Sequence, residues 1–138
     1  MPRILQCTRH CSPAEQHLIK GLRALGSSTY GVESAVGDLS KVGIERGLTG
    51  NFIRLMERLA QERPSFELLE PASPFITPDE LTLLGALAQI ARAAKRPERT
   101  ARSDGTKLYH HLDKCAKILS AGRVQLKYRP MKNSLLSS

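Results

Sequence analysis

The chain of 138 residues contains no tryptophan, and aromatic residues make up only 4% of it. Its core must therefore be aliphatic, and this composition favours helices, since strands draw on aromatic and β-branched residues. No apolar run approaches the ~20 residues that a membrane-spanning helix needs, and the first residues lack the apolar stretch of a secretory signal. These absences predict an all-α, cytoplasmic protein that does not enter a membrane.

Cysteine is also scarce, with three residues in the whole chain. An odd number of cysteines without an export signal argues against a disulfide framework and indicates a reducing compartment. The length corresponds to one domain, and 41% hydrophobic with 25% charged residues is typical of a globular chain. We therefore expect a single domain over residues 1–138 with one aliphatic core.

Negative charge is nearly missing from the last third of the chain. Residues 1–91 carry nine Lys/Arg and ten Asp/Glu, whereas residues 92–138 carry twelve Lys/Arg and three Asp/Glu. Clustered positive charge repels itself unless a partner neutralises it. The asymmetry therefore predicts a surface for an anionic partner.

Apolar residues recur at helical spacing in five segments, which predicts a bundle of about five helices. Ser12 and Glu15 form a capping box before the first helix, and Thr77 and Glu80 form another before the fourth. Four prolines exclude a helix from residues 64–78, which should instead pack across the core as a connector. The predicted order is an arm at 1–11, three helices within 12–63 (12–25, 32–42 and 48–63), a proline-rich connector at 64–78, two helices within 79–122 (79–95 and 105–121) and a basic tail at 123–138.

The basic last third is the strongest functional signal. Lysine and arginine at such spacing can follow a phosphate backbone, because each neutralised phosphate releases counterions. The dipole at a helix C-terminus accounts for three of the charges and leaves nine unexplained. We therefore predict a non-enzymatic regulatory module, of the kind used in transcription regulation, that binds nucleic acid, chiefly DNA, through phosphates. Its predicted contact residues are Arg92, Lys95, Arg96, Arg99, Arg102, Lys107, Lys114, Lys117, Arg123 and Lys127.

Two features leave the identity of the partner undecided. The same charges could dock an acidic surface of another protein, which makes an adaptor the competing interpretation. The wide apolar face of the 48–63 helix fits either the core or the seam of a homodimer.

The helices at 32–42 and 49–63 have the coarse shape of a helix-turn-helix. The second of them mixes charges of both signs, whereas a recognition helix presents a net positive face to DNA. The helix at 103–121 is the better candidate for contact. A short strand at 123–129, where apolar and polar residues alternate, would follow it as a wing.

Cysteine and histidine gather in two short clusters. Cys7, Cys11, His111 and Cys115 would form a tetrahedral zinc set that staples the arm to the last helix. We prefer the alternative, in which Cys115 packs as a small hydrophobe on its apolar stripe, and we predict no cofactor. Asp113 lies two positions from both His111 and Cys115, hence on another helical face, so no nucleophile–base arrangement is predicted. The protein is therefore not expected to be an enzyme.

Overall fold

The computed structural model describes residues 11–26, 31–94, 107–122, 124 and 126, together with the backbone of residues 6–7. The described residues form five α-helices and a 3₁₀ turn at Arg46–Leu48, which confirms the predicted all-α bundle. The helices are α1 (Pro13–Leu25), α2 (Gly31–Ser40), α3 (Thr49–Glu62), α4 (Pro78–Ala94) and α5 (Lys107–Ala121).

Both predicted capping boxes are present. The Ser12 hydroxyl accepts from the Glu15 amide at 3.2 Å, and the Glu15 carboxylate accepts from the Ser12 amide at 3.0 Å. Thr77 and Glu80 make the same reciprocal pair before α4, at 3.0 and 2.9 Å. Each box satisfies amides that a helix start leaves without intrahelical partners, so α1 and α4 begin where the sequence predicts.

α2 ends earlier than predicted. It stops at Ser40 instead of residue 42, and the chain then turns through Gly43, whose φ is +85°. Only glycine adopts this left-handed conformation at little cost. The turn brings the Ile44 amide to the Leu39 carbonyl at 3.1 Å and buries the Ile44 side chain, so residues after the helix still complete its apolar face.

One aliphatic cluster draws on all five helices. α4 lies at its centre, because its residues 83–88 are all buried, and α5 packs on both α3 and α4 while α1 packs chiefly on α2. The α3 residues Phe52, Leu55, Met56 and Leu59 are buried inside this cluster. Among the described residues, Phe75 is the one large hydrophobic side chain that is exposed.

A two-residue antiparallel pairing joins the N-terminal arm to the connector. β1 (Gln6–Cys7) pairs with β2 (Phe75–Ile76), so that Gln6 lies opposite Ile76. Neither segment is predicted as a strand, since two residues carry no readable alternation. Of the strand predicted at 123–129, the structure describes only Val124 and Leu126, and neither belongs to a strand. The rest of that prediction lies outside the described residues.

A buried ion pair holds α1, the connector and α4 together. Arg23 Nε and Nη2 donate to the two carboxylate oxygens of Glu80 at 2.6 and 2.8 Å. Nη2 also donates to the Phe75 carbonyl at 2.6 Å, and Nη1 donates to the carbonyls of Ser73 and Glu70 at 3.1 and 3.4 Å. All five guanidinium N–H groups thus have acceptors.

The Glu80 carboxylate also accepts several hydrogen bonds. Besides Arg23, it accepts from the backbone amides of Leu69, at 3.1 Å, and Thr77, at 2.9 Å. The Thr77 hydroxyl in turn donates to the Glu67 carbonyl at 2.9 Å. The connector therefore crosses the bundle on a network whose charged atoms are all paired, which is the condition under which buried charge is tolerated.

Candidate nucleic-acid interface

α5 divides into a core face and a basic face. Its buried residues are Leu108, Leu112, Cys115, Ala116 and Leu119. The opposite side carries His110, Lys114 and Lys117, which are four and three positions apart and therefore share one stripe. The described side chains of this stripe are exposed. The local sequence produces this arrangement, because apolar and basic residues each follow the helical period.

The two described lysines of the stripe differ in their neighbours. Lys117 forms an i,i+4 ion pair with Asp113, with 2.9 Å between Nζ and Oδ2. A surface pair of this kind contributes at most about 1 kcal/mol and is exchanged readily for another anion. Within the described part of the chain, no carboxylate lies within 4 Å of the Lys114 ammonium. Lys114 is therefore more available to a ligand than Lys117.

α3 adds two arginines near α5. The sequence alone does not single these arginines out, because α3 carries charges of both signs. Arg54 is exposed, and its Nη1 extends back toward Gly50 at the start of the helix. Arg58 is half-buried and shares its guanidinium with Glu62, at 3.6 Å, and with the Gln61 amide oxygen, at 3.2 Å. Both arginines lower the pKa of His111 on the last helix.

His111 reports the positive charge of this region. Its pKa is lowered, first by burial and then by the charges of His110, Arg58, Lys114 and Arg54. The rings of His110 and His111 lie edge to face, with 5.8 Å between their centroids. We call Arg54, Arg58, His110, His111 and Lys114 the α3–α5 cluster. No local sequence signal predicts this cluster, because it depends on how α3 and α5 pack.

The remaining predicted contact residues are mostly outside the described part of the structure. Arg92 is exposed in the last turn of α4. The side chain of Lys107 is not among those described. Lys95, Arg96, Arg99, Arg102, Arg123 and Lys127 also lie outside the described residues.

The structure describes three of the four predicted zinc ligands and does not show them forming a metal site. Cys11 and Cys115 are both buried, and the Cys115 thiol donates to the Asn51 carbonyl at 3.5 Å. Burial raises the pKa of Cys115 to about 12, whereas zinc takes the thiolate. Among the described residues, no three His, Cys, Asp or Glu side chains form a metal-binding group. The side chain of Cys7 is not described, so the zinc set stays a prediction.

The described residues also form a concave surface beside α1. It is an open groove of about 220 Å³ between α1 and the connector, lined by Gln16, His17, Lys20 and the Pro71–Pro74 turn. Arg23 forms part of its wall, but every donor of that guanidinium is already engaged. The groove therefore offers a ligand fewer unshared charges than the α3–α5 cluster does.

Known proteins add no functional information. No protein-family model matches the chain, and no curated protein or solved structure is significantly similar to it. Within the described segments, no helix has both the length and the apolar character to cross a membrane.

Proposed function

We propose that this protein is a non-enzymatic module that binds nucleic acid, chiefly DNA, through the phosphate backbone. The observation that carries the proposal is the basic face of α5, where His110, Lys114 and Lys117 are exposed in one line opposite the core. The sequence continues this charge on both sides: residues 92–106 contain five Lys/Arg, and residues 123–138 contain four and no acid. An excess of positive charge over this length of sequence suits a polyanion.

The chemistry of the face favours phosphates over bases. From His110 to Lys117 the stripe is about 10 Å long, which spans more than one phosphate of a strand. It contains no Asn or Gln, the residues that read adenine by paired hydrogen bonds. We therefore propose binding with little sequence preference. We also propose that the module is regulatory and cytoplasmic. Binding of nucleic acid by this face needs neither a second copy of the chain nor a cofactor.

An acidic protein surface is the competing partner. The centres of protein interfaces are depleted in lysine and enriched in aromatic residues, whereas this face is rich in lysine and its sole aromatic side chains are histidines. For that reason we favour nucleic acid. An adaptor would ignore free DNA at moderate salt and bind one acidic protein instead.

The test is fluorescence anisotropy at pH 8 with a 25-base-pair duplex and its single strand, at about 50 and 200 mM salt. Around six phosphate contacts give a slope of log affinity against log salt near −5 for the duplex. Lys114→Gln should flatten that slope by about 0.9, the share of one phosphate. The matched control is Lys20→Gln, which removes the same charge from the groove on α1 and should leave the slope unchanged.

Two results would contradict the proposal. One is the absence of binding to either probe at the lower salt, which would direct the search to an acidic protein. The other is an equal effect of Lys114→Gln and Lys20→Gln, because binding would then follow net charge and not the α5 face.

A further inference from the structure

The groove between α1 and the connector has the dimensions of a site for a small molecule. Its volume is about 220 Å³, which is below the ~300–1,000 Å³ of pockets for drug-sized ligands. A ligand that fills it is therefore about as large as one ring with a single substituent. The lining comes from α1, through Gln16, His17, Ile19, Lys20 and Arg23, and from residues 71–74 of the connector. None of these residues belongs to the face of α5 on which the proposed function depends.

The connector wall of the groove is held in place without a ligand. The Ser73 amide donates to the Glu70 carbonyl at 2.9 Å and closes a turn, and Pro71 and Pro74 fix their own φ angles. The Arg23 guanidinium donates to the carbonyls of Glu70 and Ser73 at 3.4 and 3.1 Å. A ligand that enters the groove therefore has little of this turn to order, which removes a cost that weakens binding to a mobile loop.

Positive charge and hydrogen-bond donors are available inside the groove. Lys20 is exposed, and within the described residues no carboxylate lies within 4 Å of its ammonium. The Ser73 hydroxyl accepts from the Phe75 amide at 3.2 Å, which leaves its own hydrogen to donate. His17 is half-buried in the lining and brings a ring N–H. No Asp or Glu is among the described residues that line the groove, so its electrostatics favour an anion.

The rest of the lining is mostly apolar. Ile19 and Pro71 are buried, and Ala72 is exposed. Gln16 contributes only its amide oxygen, because its Nε2 already donates to the Cys11 carbonyl at 3.0 Å. A ligand that matches this lining has an apolar body and one negatively charged end. A carboxylate suits that end, since it carries a single charge for one lysine and has two oxygens that accept from the neighbouring donors.

We propose that the groove between α1 and the connector binds a small organic carboxylate. The carboxylate lies between the Lys20 ammonium and the donors of His17 and Ser73, and the apolar body lies against Ile19 and the Pro71–Pro74 turn. This site goes beyond the proposed function and does not depend on it. It gives the protein a place for a small-molecule ligand that is separate from the basic face of α5.

Benzoate is the probe, because it combines one carboxylate with one apolar ring. It is titrated into the protein at pH 7 and followed by amide NMR spectra. The ionic strength is held at about 0.15 M, where attraction to exposed charge is screened beyond about 8 Å. We expect saturable shifts of the amide signals of residues 16–20 and 72–73. The expected dissociation constant is about 1–10 mM, the range for a ligand with so few atoms.

Two related compounds separate charge from apolar contact. Benzamide has the same ring without the charge, and acetate has the same charge without the ring. Each should bind at least about fivefold more weakly than benzoate, because benzamide loses the charge-assisted hydrogen bonds and acetate loses the apolar contact.

Variants locate the site. Lys20→Gln should weaken benzoate binding by about fivefold or more, since it removes the charge that faces the carboxylate. The matched control is Lys114→Gln, because both lysines are exposed on a helix and, among the described residues, neither has a carboxylate within 4 Å. It should leave the affinity for benzoate unchanged. The amide spectra also show that each variant is folded.

Three results would overturn this inference. They are an absence of shifts at residues 16–20 and 72–73, equal binding of benzoate and benzamide, and an equal effect of Lys20→Gln and Lys114→Gln. None of them touches the proposed function, which is measured with a duplex and depends on Lys114. Conversely, a failure to bind the duplex would leave the groove and its ligand standing.

Discussion

Two regions of the molecule bring charged side chains from different helices together, and they do so in opposite ways. Where α1 meets α4, Arg23 and Glu80 are 1% and 0% exposed, and every donor and acceptor between them is used. Where α3 meets α5, Arg54, Arg58 and Lys114 act together on His111, and Arg54 and Lys114 are exposed to solvent. The first region is closed to outside partners, and the second is open to them.

This difference indicates that the two sets of charges have different roles. A charge taken out of water is tolerated only when its hydrogen bonds are complete, so the buried pair orders the connector and has nothing left for a ligand. A cluster of like charges destabilises itself until an anion arrives, so its stabilisation comes from outside the chain. Substitutions should therefore change stability in the first region and binding in the second.

The largest expected effect is that of Glu80→Gln. It leaves the buried Arg23 guanidinium without a counter-charge and should lower the free energy of unfolding by about 3–5 kcal/mol, measured by urea denaturation. The control is Glu33→Gln, which makes the same change in a surface ion pair. In that pair the side chain of Glu33 is 76% exposed and that of Arg46 is 70% exposed. That substitution should cost less than about 1 kcal/mol. Similar losses for the two variants would contradict the role given to the buried pair.

A double substitution sharpens the comparison. Replacing a buried ion pair by apolar residues is often neutral, but here Arg23→Met with Glu80→Met also removes the partners of five connector backbone groups. These are the carbonyls of Glu70, Ser73 and Phe75 and the amides of Leu69 and Thr77. We expect the double variant to stay at least about 2 kcal/mol less stable, since each unsatisfied buried group costs about 1–3 kcal/mol. Recovery to full stability in urea would show that the connector does not need the network.

The next effect belongs to the open region. Arg54→Gln should change stability by less than about 0.5 kcal/mol, as surface substitutions do, and should flatten the salt dependence of duplex binding by about 0.9. It should also raise the pKa of His111 toward 6.5, because one of the cations that lower it is gone. NMR titration and anisotropy give the two readouts. A loss of stability without any change in either of them would remove Arg54 from the cluster.

The smallest expected effect concerns Cys115. With a pKa of about 12, this thiol is almost fully protonated at pH 8 and should resist alkylation until urea unfolds the protein. Peptide mapping by mass spectrometry measures the modification at that residue. Metal analysis of Cys7→Ser with Cys115→Ser completes the test. Stoichiometric zinc that disappears in this variant would establish the zinc set, and unchanged metal content would exclude it.

Local features of the fold were predictable from the sequence. The two capping boxes act over three residues, and the basic stripe of α5 follows the period of a single helix, so both are readable without knowledge of the rest of the chain. The end of α2 was predicted two residues late. The apolar spacing continues through Val42, and only the left-handed conformation of Gly43 reveals that Ile44 returns to the core through a turn.

Contacts between distant segments were not predictable in the same way. Arg23 and Glu80 are 57 positions apart, so no local pattern links them. From the sequence, Glu80 is recognisable only as the acid of a capping box at the start of a helix. The same carboxylate serves both purposes, which only the packing of α1 against α4 reveals. Likewise the mixed charge signs of α3 give no indication that Arg54 and Arg58 act on His111 of α5.

By itself the sequence determined five helices, an aliphatic core and an excess of positive charge in the last third, because composition, caps and periodicity act within a few residues of each other. Tertiary structure alone decided which charges are paired and which remain available. That outcome depends on which helix faces meet, and electrostatic interactions fall off over a few ångströms in space regardless of the distance along the chain. A buried network and an exposed cluster can therefore arise from the same kinds of residue.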